Sequence, residues 1–200
     1  MPNWVDNRLI ITSDKETLNA VRDKIKFDEN NNPQLARSLY PMPEDLHLVS
    51  GTGDELFYWV DENGEPQKPP RFNEQDTTIL TKYELTQEEK DELKELHGQN
   101  NWYDWNIANY GSKWPDCYTD VRNLNHDKQL YFAFESAWAP LVTLAQRISA
   151  DYKCKVVLKH FSLDNMSEGT IKFDEGMEYY YLYKDISHDI YPSHILREEE

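Results

Sequence analysis

The chain is short of cysteine, of long apolar runs and of basic side chains, and each shortage removes a class of function. Cys117 and Cys154 are the two cysteines in 200 residues. They form neither a CxxC pair nor a Cys/His pattern, so neither a disulfide framework nor a zinc site is suggested and two free thiols are expected. No segment approaches the roughly 20 apolar residues that span a bilayer. The opening Met-Pro-Asn-Trp lacks the basic and apolar regions of a signal peptide, so a cytosolic protein with no membrane association is expected. Lys and Arg number 21 against 37 Asp and Glu, a formal charge of −16. Binding nucleic acid directly needs clustered cations that neutralise phosphates, and this balance argues against it.

The acidity is confined to two segments. Residues 44–100 hold 15 acids and 5 bases and residues 163–200 hold 10 and 3, whereas the remainder is close to neutral. Acidic segments either keep a protein soluble or meet a basic protein surface, including one that normally holds nucleic acid. At 200 residues the chain is long enough for one domain with a buried core and a sizeable insertion.

Local patterns order the elements. Asn7 to Thr12 is a short β-branched apolar run, and Ser13 with Glu16 has capping-box spacing at the head of a helix over 13–25. Leu18, Val21 and Ile25 give that helix one apolar face. Residues 118–124 and 130–136 read as strands separated by a turn-like cluster, and 140–152 as a helix opened by Pro140, with Leu141, Leu144, Ala145 and Ile148 on one side. Residues 155–161 form a further strand.

The order βα, ββ, αβ is the split βαβ pattern of a ferredoxin-like fold. An α+β class is therefore expected, with an antiparallel sheet carrying two helices on one face. The domain spans 1–162 and includes an insertion over 27–100, too long to be a plain connection. That insertion is acidic and partly helical. Its proline-bracketed "YPMPEDL" reads as a turn and "DENGEPQKPP" as a turn and an exposed loop. Thr86 with Glu89 and Gly98 bracket a helix in "TQEEKDELKELHG", with Leu85, Leu93 and Leu96 as its few apolar residues. Residues 163–200 extend the same domain by a C-terminal β-hairpin turning at Glu175 and Gly176.

Four motifs, "MPNW..N" at 1–7, "LYPMPEDL" at 39–46, "WYDWNIANYGSKW" at 102–114 and "FESAWAP" at 134–140, together resemble the YubB ferredoxin-like family of phage- and plasmid-borne proteins. The resemblance covers roughly residues 1–162. Val5 stands where such proteins often have Cys, and Leu141 where they have a second proline. The resemblance implies a ferredoxin-like fold and a mobile-element origin, and it transfers no catalytic residue. "Ferredoxin-like" names a topology only, since the cysteines for an iron–sulfur cluster are missing.

The segment 101–114 concentrates three tryptophans and two tyrosines. One reading places Trp4, Trp102, Trp105, Trp114 and Trp138 mostly in the core, with indole N–H groups on backbone acceptors. Gly111 then supplies a turn, and Lys113 pairs with Asp104 or lies over a ring. The other reading is a ring-lined pocket in which Trp102, Tyr103, Trp105, Tyr110 and Trp114 stack on a base or nucleotide while Lys113 meets its phosphate. Gly-Ser-Lys lacks the preceding glycine of a phosphate-binding loop.

His188 and His194, near Asp185 and Asp189, match no standard metal-ligand spacing. His160, on a predicted strand, reads as a packed or surface residue rather than a base. No serine or cysteine has a nucleophile's setting, so neither a metal, a cofactor nor an enzymatic activity is expected. Glu88, Glu89, Asp91, Glu92 and Glu95 crowd the helix of the insertion and are the candidate contacts for a partner with a basic surface. With the implied origin, the expected function is an accessory protein in the bacterial host cytosol. It binds, and most directly inhibits, a host defence or nucleic-acid-handling protein; the alternative is nucleotide binding by the aromatic segment.

Overall fold

A computed structural model describes residues 3–70, 79–122 and 127–186. In chain order the elements begin with β1 Trp4–Thr12, α1 Lys15–Arg22, β2 Lys26–Phe27, β3 Pro33–Gln34 and α2 Leu35–Leu39. They continue with α3 Glu44–Leu48, β4 Val49–Thr52, β5 Glu55–Val60, β6 Pro66–Gln67, β7 Thr81–Glu84, α4 Gln87–His97 and α5 Trp102–Tyr110. The last are β8 Cys117–Arg122, β9 Gln129–Ala137, α6 Val142–Asp151, β10 Lys155–Ser162, β11 Ser167–Asp174 and β12 Met177–Asp185. Residues 123 and 124, expected in a strand, lie outside the described residues, as do His188, Asp189 and His194.

Two compact units result, one from Met1–Tyr40 with Ala108–Glu200, the other Pro41–Ile107. The second unit thus starts later and ends later than the insertion expected over 27–100. Residues 27–40 belong with the first unit, where β2 pairs with β3 and α2 follows directly.

The first unit is built on a six-stranded sheet in the order β12-β11-β10-β1-β9-β8, antiparallel at every junction. Its inner part, β10-β1-β9-β8, has the first strand between the last and the third, which is the split βαβ arrangement. Alternation decides the buried face. Val5, Leu9 and Ile11 of β1, Leu130, Phe132 and Phe134 of β9, and Val156 and Leu158 of β10 are all buried. The residues between them, such as Arg8, Ile10 and Tyr131, are only half-buried. α6 packs against β10 and β11 and contributes Leu144, Ala145 and Ile148 to the core.

Helix α1 is shorter than the expected 13–25 and is capped one residue later. Asp14, not Ser13, is the N-cap, its carboxylate accepting from Thr17 N at 2.8 Å. The Ser13 N–H donates to Lys128 O at 3.3 Å, and the orphan N–H of the first turn, that of Thr17, is taken by the Asp14 carboxylate, so Asp14 and not Ser13 starts the helix. The β11–β12 turn places Glu175 and Gly176 at φ 47° and 82°, and Gly176 N donates to Ser149 Oγ at 3.0 Å. Every residue of β12 is exposed, including Tyr179, Tyr180, Tyr181, Leu182 and Tyr183.

The second unit holds a small antiparallel sheet in which β5 pairs with β4, β6 and β7. The segment 61–67 turns on Asp61, whose carboxylate accepts from Asn63 N and Glu65 N at 2.9 and 3.0 Å. Helix α4 has the expected capping box, with Thr86 and Glu89 bonded reciprocally, and ends on Gly98 at φ 79°. Its inner side rests on Leu93, while Lys90 Nζ donates to Asp54 O at 2.7 Å and His97 meets Asp45 at 3.0 Å.

Candidate functional site

The aromatic residues are distributed differently from a simple core. Trp105 is buried, but Trp4, Trp102 and Trp114 are only half-buried and Trp138 is 45% exposed. This corrects the core reading, and the reason is positional: Trp4 and Trp114 lie at one end of the large sheet on its less covered face, and Trp138 leaves β9 in a left-handed conformation. The pocket reading changes as well. Trp105 and Tyr110 are buried, and the Tyr110 hydroxyl donates to Tyr40 O at 2.6 Å. Neither ring face is offered to a ligand. In the second unit Trp102 and Tyr103 pack edge to face at 5.8 Å, and Asp104 accepts from Asn101 Nδ2 at 2.7 Å.

In the first unit Lys113 and Trp114 join residues from three other segments. The Lys113 ammonium lies 3.9 Å from the centroid of the Trp114 indole and 4.0 Å from that of Trp138. Trp4 packs against Trp114 at 6.3 Å and meets Tyr118 edge-on at 6.0 Å. Hydrogen bonds to backbone carbonyls hold this end in place. Trp138 N donates to Asn3 O at 2.7 Å, Ser112 Oγ to Ala137 O at 2.8 Å and Ser162 Oγ to Trp4 O at 3.1 Å. Gly111 turns the chain into this segment at φ 90°. A side chain at 111 would press on Thr143 Oγ1 at 3.3 Å.

Next to the rings, Asp6 pairs with Glu135 across β1 and β9, and Cys117 pairs with Glu135 across β8 and β9. Burial, and then the Asp6 carboxylate, raise the Glu135 carboxyl above its ordinary range. Burial also raises the Cys117 thiol. Both cysteines are free, and Cys154, whose Sγ donates to Ile148 O at 3.7 Å, is pushed up to about 12 by burial. A thiol so raised is protonated and inert at neutral pH. Deeper in this unit Asp116 accepts from Ala36 N and Arg37 N at 2.9 and 3.0 Å, and fixes the start of α2 against the loop before β8. Its burial raises the carboxyl against the pull of those two bonds.

The acidic candidates sort by face. Glu88, Asp91, Glu92 and Glu95 are exposed on α4, and Leu96 beside them is 68% exposed. Glu89 is different: its carboxylate accepts from Thr86 N at 2.7 Å, from Thr86 Oγ1 at 2.9 Å and from the Tyr83 hydroxyl at 3.1 Å. The Thr86 backbone bond leads the effects holding its carboxyl below the ordinary range. Glu89 therefore serves the helix start.

His160 is buried on β10, with burial lowering its imidazole below the ordinary value. It borders a cleft of about 390 Å³ lined also by Ser162, Ser167, Tyr181 and Tyr183. Among the described residues no group of three His, Cys, Asp or Glu side chains is placed to hold a metal ion, and no helix is long and apolar enough to cross a membrane.

The sequence reading missed Trp4, Tyr118 and Trp138 as partners of Lys113 and Trp114. A signal existed: Trp4 opens β1 and Trp138 follows β9, and antiparallel pairing of those strands puts both at one end.

A comparison with curated proteins returned no match. Among solved structures, the chain is similar to a protein Api92 from Yersinia pseudotuberculosis at a TM-score of 0.50 and 12% identity, covering 92% of this chain and 98% of that one. At that identity the likeness concerns the fold. Residues 118–199 are similar to the family described as "Ferredoxin-like domain in Api92-like protein".

Proposed function

We propose that the protein acts by binding a protein with a basic surface, through the outer face of α4. The observation that carries this reading is the spacing of the exposed acids. Glu88, Asp91, Glu92 and Glu95 recur at three and four residues, so they form one stripe, and exposed Leu96 continues it by one turn. A stripe of carboxylates ending on an apolar side chain offers long-range attraction to a cationic surface and a contact that can be desolvated at its end. Solubility alone calls for acids but not for a neighbouring exposed leucine.

The similarity of the sequence motifs to YubB proteins adds a source, a phage or plasmid, and with it a target class. An acidic protein from a mobile element is well suited to occupy the basic surface of a host defence or nucleic-acid-handling protein and to inhibit it in the host cytosol. The partner is identified by pull-down from a bacterial lysate and mass spectrometry. Association rates are then measured against ionic strength for the wild type and for a variant with Glu88, Asp91, Glu92 and Glu95 changed to lysine. Association falls with salt for the wild type and is slower for the variant. A flat salt dependence and an unaffected variant would reduce the acids to a soluble coat.

A further inference from the structure

The end of the large sheet carries a second kind of surface, independent of α4. We propose that Trp114 and Trp138, with Trp4 and Tyr118 beside them, form an aromatic cage for an alkylammonium group, occupied in this structure by the chain's own Lys113.

The geometry is that of cation recognition. An ammonium is attracted to an aromatic face within about 6 Å of the ring centroid, and Lys113 Nζ is within 4.0 Å of two indoles at once. The cage walls come from different segments: Trp4 from the start of β1, Trp114 from the loop before β8, Tyr118 from β8 and Trp138 from the end of β9. Asp6 and Glu135 follow on the same side of the sheet, adding negative charge beside the rings.

A stabilising role alone does not account for the walls. Trp138 and Tyr118 have φ of 69° and 49°, left-handed conformations that strain a non-glycine residue. Such strain is not compensated by burial here, since Trp138 is 45% and Tyr118 76% exposed. The β8 ladder shifts register between Cys117 and Asp120, which turns Tyr118 out of the regular pleat. Strained backbone that presents large rings to solvent, around a cation already in place, is the arrangement of a site closed by an internal mimic of its ligand. An external alkylammonium, whether a free quaternary amine or a methylated lysine side chain, gains access by displacing Lys113 into solvent.

The test uses tetramethylammonium and a trimethyl-lysine peptide as probes on the full chain, followed by tryptophan fluorescence and calorimetry. Lys113→Ala empties the cage and binds tetramethylammonium about tenfold more tightly than the wild type, a factor within the range of one desolvated cation–π contact. Lys113→Arg keeps the site closed, and adding Trp138→Ala to Lys113→Ala abolishes the gain. Binding of both probes defines a general ammonium site, and binding of the peptide alone a methyl-lysine reader. If folded Lys113→Ala binds neither probe better than the wild type, the cage is overturned. Should that variant fail to fold, the wild type decides. The ring-shifted NMR resonances of the Lys113 methylenes move to solvent values as tetramethylammonium saturates, whereas resonances that stay fixed at saturating probe refute the displacement.

Discussion

The side-chain amide of Asn7 donates to Ser136 Oγ at 2.8 Å, joining the middle of β1 to the end of β9 inside the core. The same amide donates to Val5 O at 2.8 Å, and its oxygen accepts from Leu141 N at 3.2 Å. Ser136 Oγ in turn donates to Ala139 O at 2.7 Å. One buried amide thus ties two strands to the entry of α6. Asn7→Leu leaves the Leu141 N–H and the Val5 carbonyl without this partner, and it costs about 2–4 kcal/mol in chemical denaturation, more than a single exposed hydrogen bond. A loss under about 0.5 kcal/mol would show that the network is redundant.

Glu89 and Glu88 are adjacent in sequence and differ in role. Glu89→Gln weakens the capping box of α4, and Thr86→Ala removes its other half, at a cost of about 0.5–2 kcal/mol. Glu88→Gln is neutral. The folded-state carboxyl of Glu89 is lowered, so its contribution is present above the unfolded value of 4.5 and is lost as pH falls through the folded one. Circular dichroism melts of the three variants at pH 7 and pH 3 separate them. Equal effects of Glu88→Gln and Glu89→Gln at pH 7 would contradict the assignment.

His160 provides a pH dependence of a different origin. Burial lowers its folded value, so the unfolded chain takes up its proton first as pH drops. Stability is fully present above the unfolded value of about 6.5 and declines as pH falls below it. The melting temperature of the wild type decreases between pH 7 and pH 5, and His160→Gln flattens that part of the profile. An unchanged slope in the variant would assign the decline to other groups.

Gly169 faces His160 across β10 and β11. A methyl group there would lie 2.3 Å from His160 Nε2 and 2.8 Å from Leu182 O, and the second neighbour is backbone of β12 that cannot swing aside. Gly169→Ala therefore destabilises by about 1–3 kcal/mol through overpacking. Hydrogen exchange shows the loss first in β12, and uniform protection in the variant would mean that the strand accommodates the methyl.

The tryptophans divide by burial. Trp105→Ala leaves a large cavity and costs about 3–5 kcal/mol, whereas Trp138→Ala, at a strained and exposed position, costs under about 1 kcal/mol. Reversed values in thermal melts would return Trp138 to the core.

What the sequence determined by itself is what neighbours along the chain decide. The β1–α1 unit, the pair β8 and β9, and α6 followed by β10 are legible because alternation and helical spacing are local, and the ends of α4 because Thr86, Glu89 and Gly98 act within one turn. Residues 13 and 14 show the limit. Ser13 and Asp14 both suit a helix start; Ser13 follows the end of β1 with its N–H on the carbonyl of Lys128, over a hundred residues away, and the cap falls to Asp14, whose carboxylate takes Thr17 N. The meeting of Trp4, Lys113, Trp114, Tyr118 and Trp138 belongs to the tertiary structure alone. It depends on the β1–β9 register, on the shifted ladder of β8 and on left-handed backbone at Tyr118 and Trp138. Composition marks such residues only as aromatic, and whether a ring is buried or presented to a cation is decided by strands that pair across the whole chain.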